Sequence, residues 1–255
     1  MVYVEPFTPE VLKSCFRFYK HLHYDTVVLN AMDDVLSTTF SRTNVSFRSD
    51  WSGASTVSSD FIVYALPSEG FFLLRGLLTH DTVHQLLLSS VFEWTQADSR
   101  ISNIDPPCCV SGDLWLPSLK EVASGKTWEQ TVMGKLRWIT FGYHYQWSNR
   151  RYEESLRGNI PDVLGQVTTD VVNSLLLELT NGSLVDVDGA PELAEACIGF
   201  HPEAAIINYY RAKTTMGFHA DDAEFARKSP LVSIRWVSIT FAMLVLLWFS
   251  LTYSV

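Results

Sequence analysis

Cysteine is scarce in this chain of 255 residues, and positive charge is outnumbered. The four cysteines are Cys15, the adjacent pair Cys108 and Cys109, and Cys197. No two of them make a CxxC pair, so their spacing excludes a zinc ribbon and a disulfide framework, and the chain reads as one built for a reducing compartment. Lys and Arg number 19 against 28 Asp and Glu, a formal net charge of -9. That balance excludes a uniformly basic nucleic-acid coat; any contact with nucleic acid has to come from a local patch. With 13 Gly and 10 Pro the composition is neither collagen-like nor linker-like. The N-terminus carries neither the basic start and apolar stretch of a secretory signal nor an Arg/Ser-rich transit pattern, which sets the expectation at cytoplasm or nucleus.

What the chain does have is core material: 47% hydrophobic residues and 13% aromatics, eight of them Trp. That suffices for a globular body of one large or two small domains. The spacing of Val11, Leu12, Cys15, Phe16, Phe18 and Tyr19 predicts a short amphipathic helix within 10–36. Residues 37–59 are dominated by Ser and Thr and read as a disordered linker. Phe61, Val63 and 71–74 are strand-like. Thr79 is placed to cap a helix with the apolar face Val83, Leu86, Leu87, Val91, Phe92 and Trp94. The run 136–147 is dense in aromatic and β-branched residues and is the best strand in the sequence. Pro161 opens a helix through Val163, Val167, Val171, Leu175 and Leu179 that stops near Asn181 and Gly182. Residues 204–210 and 230–234 are further strands. Strands mixed with packed helices, without regular βαβ alternation, predict an α+β fold.

A His and an acid two residues apart on an extended segment project to the same side. Such a pair can supply two of the three protein ligands of a ferrous site with open positions. The pattern occurs three times, at His23 and Asp25, His201 and Glu203, and His219 and Asp221. His23 sits on a predicted helix, where an i, i+2 pair diverges, and His201 is followed by Pro202. His219 and Asp221 follow a strand that ends in Asn208 and Tyr210, a donor pair suited to gripping a carboxylate, and lie beside Gly217.

The run Asn208-Tyr209-Tyr210, the stretch from Met216 through His219 and Asp221 to Glu224, the segment Lys228–Ile234 and the aromatic strand from Leu136 to Ser148 resemble the AlkB-type iron(II)- and 2-oxoglutarate-dependent nucleic-acid dioxygenases, nearest to the AlkB homologue 1 branch. The resemblance implies a double-stranded β-helix (jelly roll) core with flanking helices. It implies iron(II) held by His219 and Asp221 with no catalytic residue apart from the metal site, 2-oxoglutarate held by Asn208 and Tyr210, and a methylated base of DNA or RNA near Trp138, Tyr143 and Arg137. The implied reaction is oxidative demethylation by a monomeric enzyme. Independently, aromatics beside basic residues are what stacking on a base and holding its phosphates requires. Between 125 and 160 there are six Lys and Arg (Lys126, Lys135, Arg137, Arg150, Arg151, Arg157) against Glu129, Glu153 and Glu154. Core packing is the competing reading of the aromatics, on even terms for Trp138 and with more weight for Trp147.

The resemblance stops at Arg235. It implies a second iron His and an Arg for 2-oxoglutarate further on, whereas no His follows His219 and the only Arg residues after Asp221 are Arg227 and Arg235. The sequence therefore reads as an N-terminal extension (1–66), a partial dioxygenase domain (67–234) and an apolar tail (235–255), an incomplete, truncated form with impaired or absent activity, the alternative being a catalytically inactive nucleic-acid-binding protein. From Trp236 to Val255 there is no charge, Gly or Pro. The first part of this run alternates and could extend the preceding strand. As a helix it would span roughly 30 Å, enough for a C-terminal membrane anchor.

Overall fold

The computed structural model describes residues 41–46, 56–66, 70–96, 100–104, 113–149, 151–187, 189–211, 228–236 and 243–248. The predicted helix within 10–36 lies outside them. Among the described residues the architecture is α+β, with three antiparallel sheets. The largest has the order β1 (Ser41–Ser46), β2 (Asp60–Leu66), β3 (Phe71–Arg75), β10 (Met243–Trp248) and β9 (Leu231–Trp236). A second sheet runs β4 (Ile101–Ser102), β5 (Trp138–Gly142), β8 (Ala204–Asn208), and the third is the hairpin β6 (His144–Gln146) with β7 (Arg151–Glu153).

In β3, Phe72, Leu73 and Leu74 are all buried. A continuous apolar run of this kind suits a strand covered on both faces. Helix α1 (His80–Leu88) begins where Thr79 accepts a hydrogen bond from the Thr82 backbone N–H at 3.2 Å, as the cap reading predicts. It ends in a π turn, Ser89–Glu93, in which the Trp94 N–H donates to the Ser89 carbonyl at 2.8 Å. Of the predicted apolar face, Leu86 and Trp94 are buried while Leu87 and Phe92 are exposed, the Phe92 ring stacking on Trp115 with centroids 5.1 Å apart. The short helices α2 (Trp115–Ala123) and α3 (Val132–Lys135) lead into β5. Helix α4 (Asp162–Thr180) starts directly after Pro161 and ends at Asn181, as expected. It buries Val167, Val171, Val172, Leu175 and Leu179 against α1, α5 (Ala190–Cys197) and β9. The buried Asp170 of α4 accepts from the Thr56 hydroxyl and from Gln166 Nε2 at 2.9 Å, which ties the approach to β2 onto the helix.

Two strands lie where the sequence predicts none. Ser41–Ser46, inside the span read as a disordered linker, forms β1 and pairs residue for residue with β2. Thr and Val favour extended backbone, and an edge strand needs little apolar content, so the Ser/Thr signal concealed it. Within the apolar tail, Met243–Trp248 forms β10, hydrogen-bonded to β3 on one side and β9 on the other. A run this apolar fits a strand flanked on both sides as well as it fits a bilayer. No helix among the described residues is long and apolar enough to cross a membrane.

Candidate cofactor and nucleic-acid face

The β5–β8 pair carries Trp138 and Asn208, with Arg137, Tyr143 and Tyr210 just beyond its strand ends. Its register places Trp138 opposite Asn208, Ile139 opposite Ile207, Thr140 opposite Ile206 and Phe141 opposite Ala205. Because strand side chains alternate, the fully buried Ile139 and Phe141 turn into the core with Ile207 and Ala205. Trp138, Thr140, Ile206 and Asn208 then share the opposite face, where Asn208 is exposed. Beyond β8 the Tyr209 N–H still bonds the Arg137 carbonyl at 2.7 Å. The Tyr209 hydroxyl donates to the Ser90 carbonyl at 2.6 Å, and burial pushes its phenol pKa up, so it serves the packing. Tyr210 is 53% exposed; partial burial raises its pKa, opposed by the Arg235 guanidinium. Its phenol is therefore protonated at neutral pH and able to donate a hydrogen bond.

The predicted strand through 136–147 is two strands. Gly142 breaks it with φ +68 and so close an approach to the Glu203 carbonyl that no Cβ fits between them. Tyr143 N–H donates to that carbonyl at 2.8 Å, and Gly158 N–H donates to the Gly142 carbonyl at 3.0 Å. This reversal sends β6 off into its own hairpin and folds His144 back onto Thr140. Both side chains are buried, with His144 Nδ1 and Thr140 Oγ1 2.8 Å apart. Thr140 Oγ1 also lies 3.3 Å from the Ile101 carbonyl, which can only accept. A hydroxyl has one proton, so using both contacts puts the other proton on His144 Nδ1 and leaves Nε2 as an acceptor. Burial holds the His144 pKa below its ordinary value near 6.5, so the ring is neutral.

The aromatics predicted to meet a base form a connected group. Trp138, half-buried, stacks on Trp147 with ring centroids 4.0 Å apart and planes at 30°. Tyr145 stands edge-on to Trp147 at 5.2 Å and meets Tyr152, its partner across the hairpin, at 5.4 Å. Trp147, read mainly as core packing, is 46% exposed because it occupies the hairpin turn and not a strand interior. Arg157 lies over the Tyr143 ring, 4.5 Å from its centroid, and donates to its hydroxyl at 3.1 Å. Arg137 is half-buried, and its Nη1 donates to the Leu136 carbonyl at 2.9 Å, so part of this guanidinium is turned back on the chain.

Trp138 and Asn208 are thus brought together directly, with Tyr210 two residues further on, while Tyr143 sits across the Gly142 break. His219, Asp221 and Glu224 lie outside the described residues, as do His23 and Asp25. His201 is exposed, with its Nδ1 2.9 Å from the Pro202 carbonyl. Among the described residues no group of three His, Cys, Asp or Glu side chains could hold a metal ion. The sequence reading passed over His144 on this face and gave Trp147 more weight as core packing than as a base contact. The signal for the second was the Gly142 interruption of an otherwise regular strand pattern, which moves everything after it into a hairpin.

Residues 111–237 match the family described as the 2OG-Fe(II) oxygenase superfamily. The chain is 31% identical over 127 residues to the human nucleic acid dioxygenase ALKBH1, covering 49% of this chain and 28% of that protein. It is 36% identical over 104 residues to the Arabidopsis thaliana DNA N(6)-methyladenine demethylase ALKBH1A, covering 40% and 25%. It is 24% identical over 180 residues to the Schizosaccharomyces pombe tRNA demethylase abh1, covering 65% and 53%. The chain spans between about a quarter and a half of the length of these relatives. With the aromatic strand β5, the Asn208 strand β8 and β9 all inside the matched span, residues 111–237 of this chain belong to the 2OG-Fe(II) oxygenase superfamily, in the neighbourhood of the ALKBH1-type nucleic-acid dioxygenases.

Proposed function

We propose that this chain acts on methylated bases of DNA or RNA by the oxidative demethylation that the names of its relatives describe, in the cytoplasm or nucleus, with 67–234 as its dioxygenase-type domain and a double-stranded β-helix as the underlying frame. The observation that carries this reading is the β5–β8 register. It sets Trp138, the inner ring of the aromatic stack that ends in Trp147, directly opposite Asn208, an exposed amide for a carboxylate. The donor chemistry suits 2-oxoglutarate: the Asn208 amide and the protonated Tyr210 phenol both donate hydrogen bonds, with the positive Arg235 close to Tyr210. Arg157 over Tyr143 offers a cation for phosphate, and Arg137 retains N–H groups beyond its backbone contacts. His219 and Asp221 would hold iron(II). Bound iron, 2-oxoglutarate and dioxygen together supply the oxidising power that releases an N-methyl group as formaldehyde.

These residues bind and orient; they do not by themselves complete the metal site. His219 and Asp221 would give the metal one imidazole and one carboxylate, two of the three protein ligands that a ferrous site of this kind uses. In a formaldehyde-release assay on an N-methylated oligonucleotide with iron(II), 2-oxoglutarate and air, the reading predicts release that is lost in Asp221→Ala. Anaerobic iron(II) binding is expected to depend on His219 and Asp221. Absence of formaldehyde release would overturn the demethylation reading, and metal binding unchanged in His219→Ala and Asp221→Ala would overturn the ligand assignment.

A further inference from the structure

We infer that Trp147, and not Trp138, is the surface on which an unpaired nucleobase stacks, with Trp138 as its support; this rests on the proposed action on nucleic acid. An indole has two faces and an edge. One face of Trp147 is covered by Trp138, at 4.0 Å and 30°, and an edge is held by Tyr145, at 5.2 Å and 86°. With 46% of the residue exposed, the open surface is the outer face of Trp147. Trp138 is half-buried and has a stacked ring already on it. A base reaching Trp138 would first have to displace Trp147 and lose that stack, whereas a base on Trp147 extends it without rearrangement.

The geometry also selects the ligand. Trp147 is fixed by two ring neighbours before anything binds, so its ordering cost is met in the free protein. A base inside a duplex has both π faces occupied by its neighbours and has none to offer. An unpaired or extruded base does, and stacking of this kind is tolerant of base identity. Trp147 is uncharged, and the phosphate contacts expected of exposed Arg151 and Arg157 are electrostatic. Loss of Trp147 should therefore weaken binding without altering its dependence on salt.

The test is the affinity of the whole chain for a fluorescein-labelled single strand of about a dozen thymidines, at about 50 and 200 mM salt. Trp147→Ala is expected to weaken binding by about 5- to 150-fold at both salts, with an unchanged salt slope, and Trp147→Phe to recover most of it. Because the side chain is exposed, an unchanged melting temperature for Trp147→Ala shows that the fold survives. Equal affinity of Trp147→Ala and wild type overturns the assignment. So does tighter binding by Trp147→Ala, which would make Trp147 a cover over Trp138. Absence of binding by the wild-type chain overturns the nucleic-acid reading itself, so the two failures are distinct.

Discussion

Replacing Gly142 by Ala tests whether the close approach at the end of β5 organises this face. The substitution meets two obstacles. Gly142 has φ +68, where an L side chain costs about 1–2 kcal/mol. The added Cβ also points at the Glu203 carbonyl oxygen, which is backbone and cannot swing aside. Moving it breaks the 2.8 Å bond from Tyr143 N–H, a further loss of about 0.5–1.5 kcal/mol. The expected destabilisation is about 1.5–3.5 kcal/mol, a large part of the margin of an ordinary domain. Gly76→Ala is the matched control: its φ is +78, but nothing lies within 4 Å of the new Cβ, so only the dihedral cost of about 1–2 kcal/mol applies. Urea denaturation followed by far-UV circular dichroism measures both. Equal losses for the two variants would refute the claim that the Glu203 approach holds the β5–β6 reversal in place.

Two further predictions concern buried titratable groups. The folded chain holds His144 neutral below its ordinary pKa near 6.5, so as pH falls through that value the unfolded chain takes up a proton that the folded chain does not. Stability is therefore lost on the acid side of about pH 6.5, and His144→Gln should flatten that loss in denaturation curves at about pH 7.5 and 5.5; parallel pH responses would contradict it. Burial pushes the Cys197 thiol up to about 12, and the residue is fully buried, so peptide-resolved alkylation at pH 8 should leave it unmodified until urea is added. Rapid labelling in the folded state would show that the core around α5 opens.

Where a local pattern and its tertiary setting agree, the fold was legible in the sequence. Helix α4 declares itself because one face of a long helix repeats every three or four residues, and Val167, Val171, Leu175 and Leu179 are the residues it buries. Strands β2 and β3 and the Thr79 cap follow from equally local rules. β1 did not, because an edge strand can be polar and its partner lies about 20 residues away in sequence. β10 could not be told from a membrane segment by apolar content, since a strand flanked on both sides and a bilayer span ask for the same residues. On the candidate face, the motif residues Asn208 and Trp138 were visible, but their direct pairing was not, because register across 70 residues is a tertiary property. The His144–Thr140 contact and the Trp147 stack both depend on the turn at Gly142, which a strand-like run of aromatics hides.

The central claim is that Asn208 and Tyr210 hold 2-oxoglutarate beside a metal bound by His219 and Asp221. Anaerobic calorimetric titration of 2-oxoglutarate into the chain with manganese(II), a redox-inert stand-in for iron(II), tests it most directly. The prediction is metal-dependent binding that is abolished in Asp221→Ala and weakened about tenfold or more in Asn208→Ala and Tyr210→Phe, in keeping with the loss of a charge-assisted hydrogen bond. Equal affinity in all four proteins, or no binding by the wild-type chain, would contradict it.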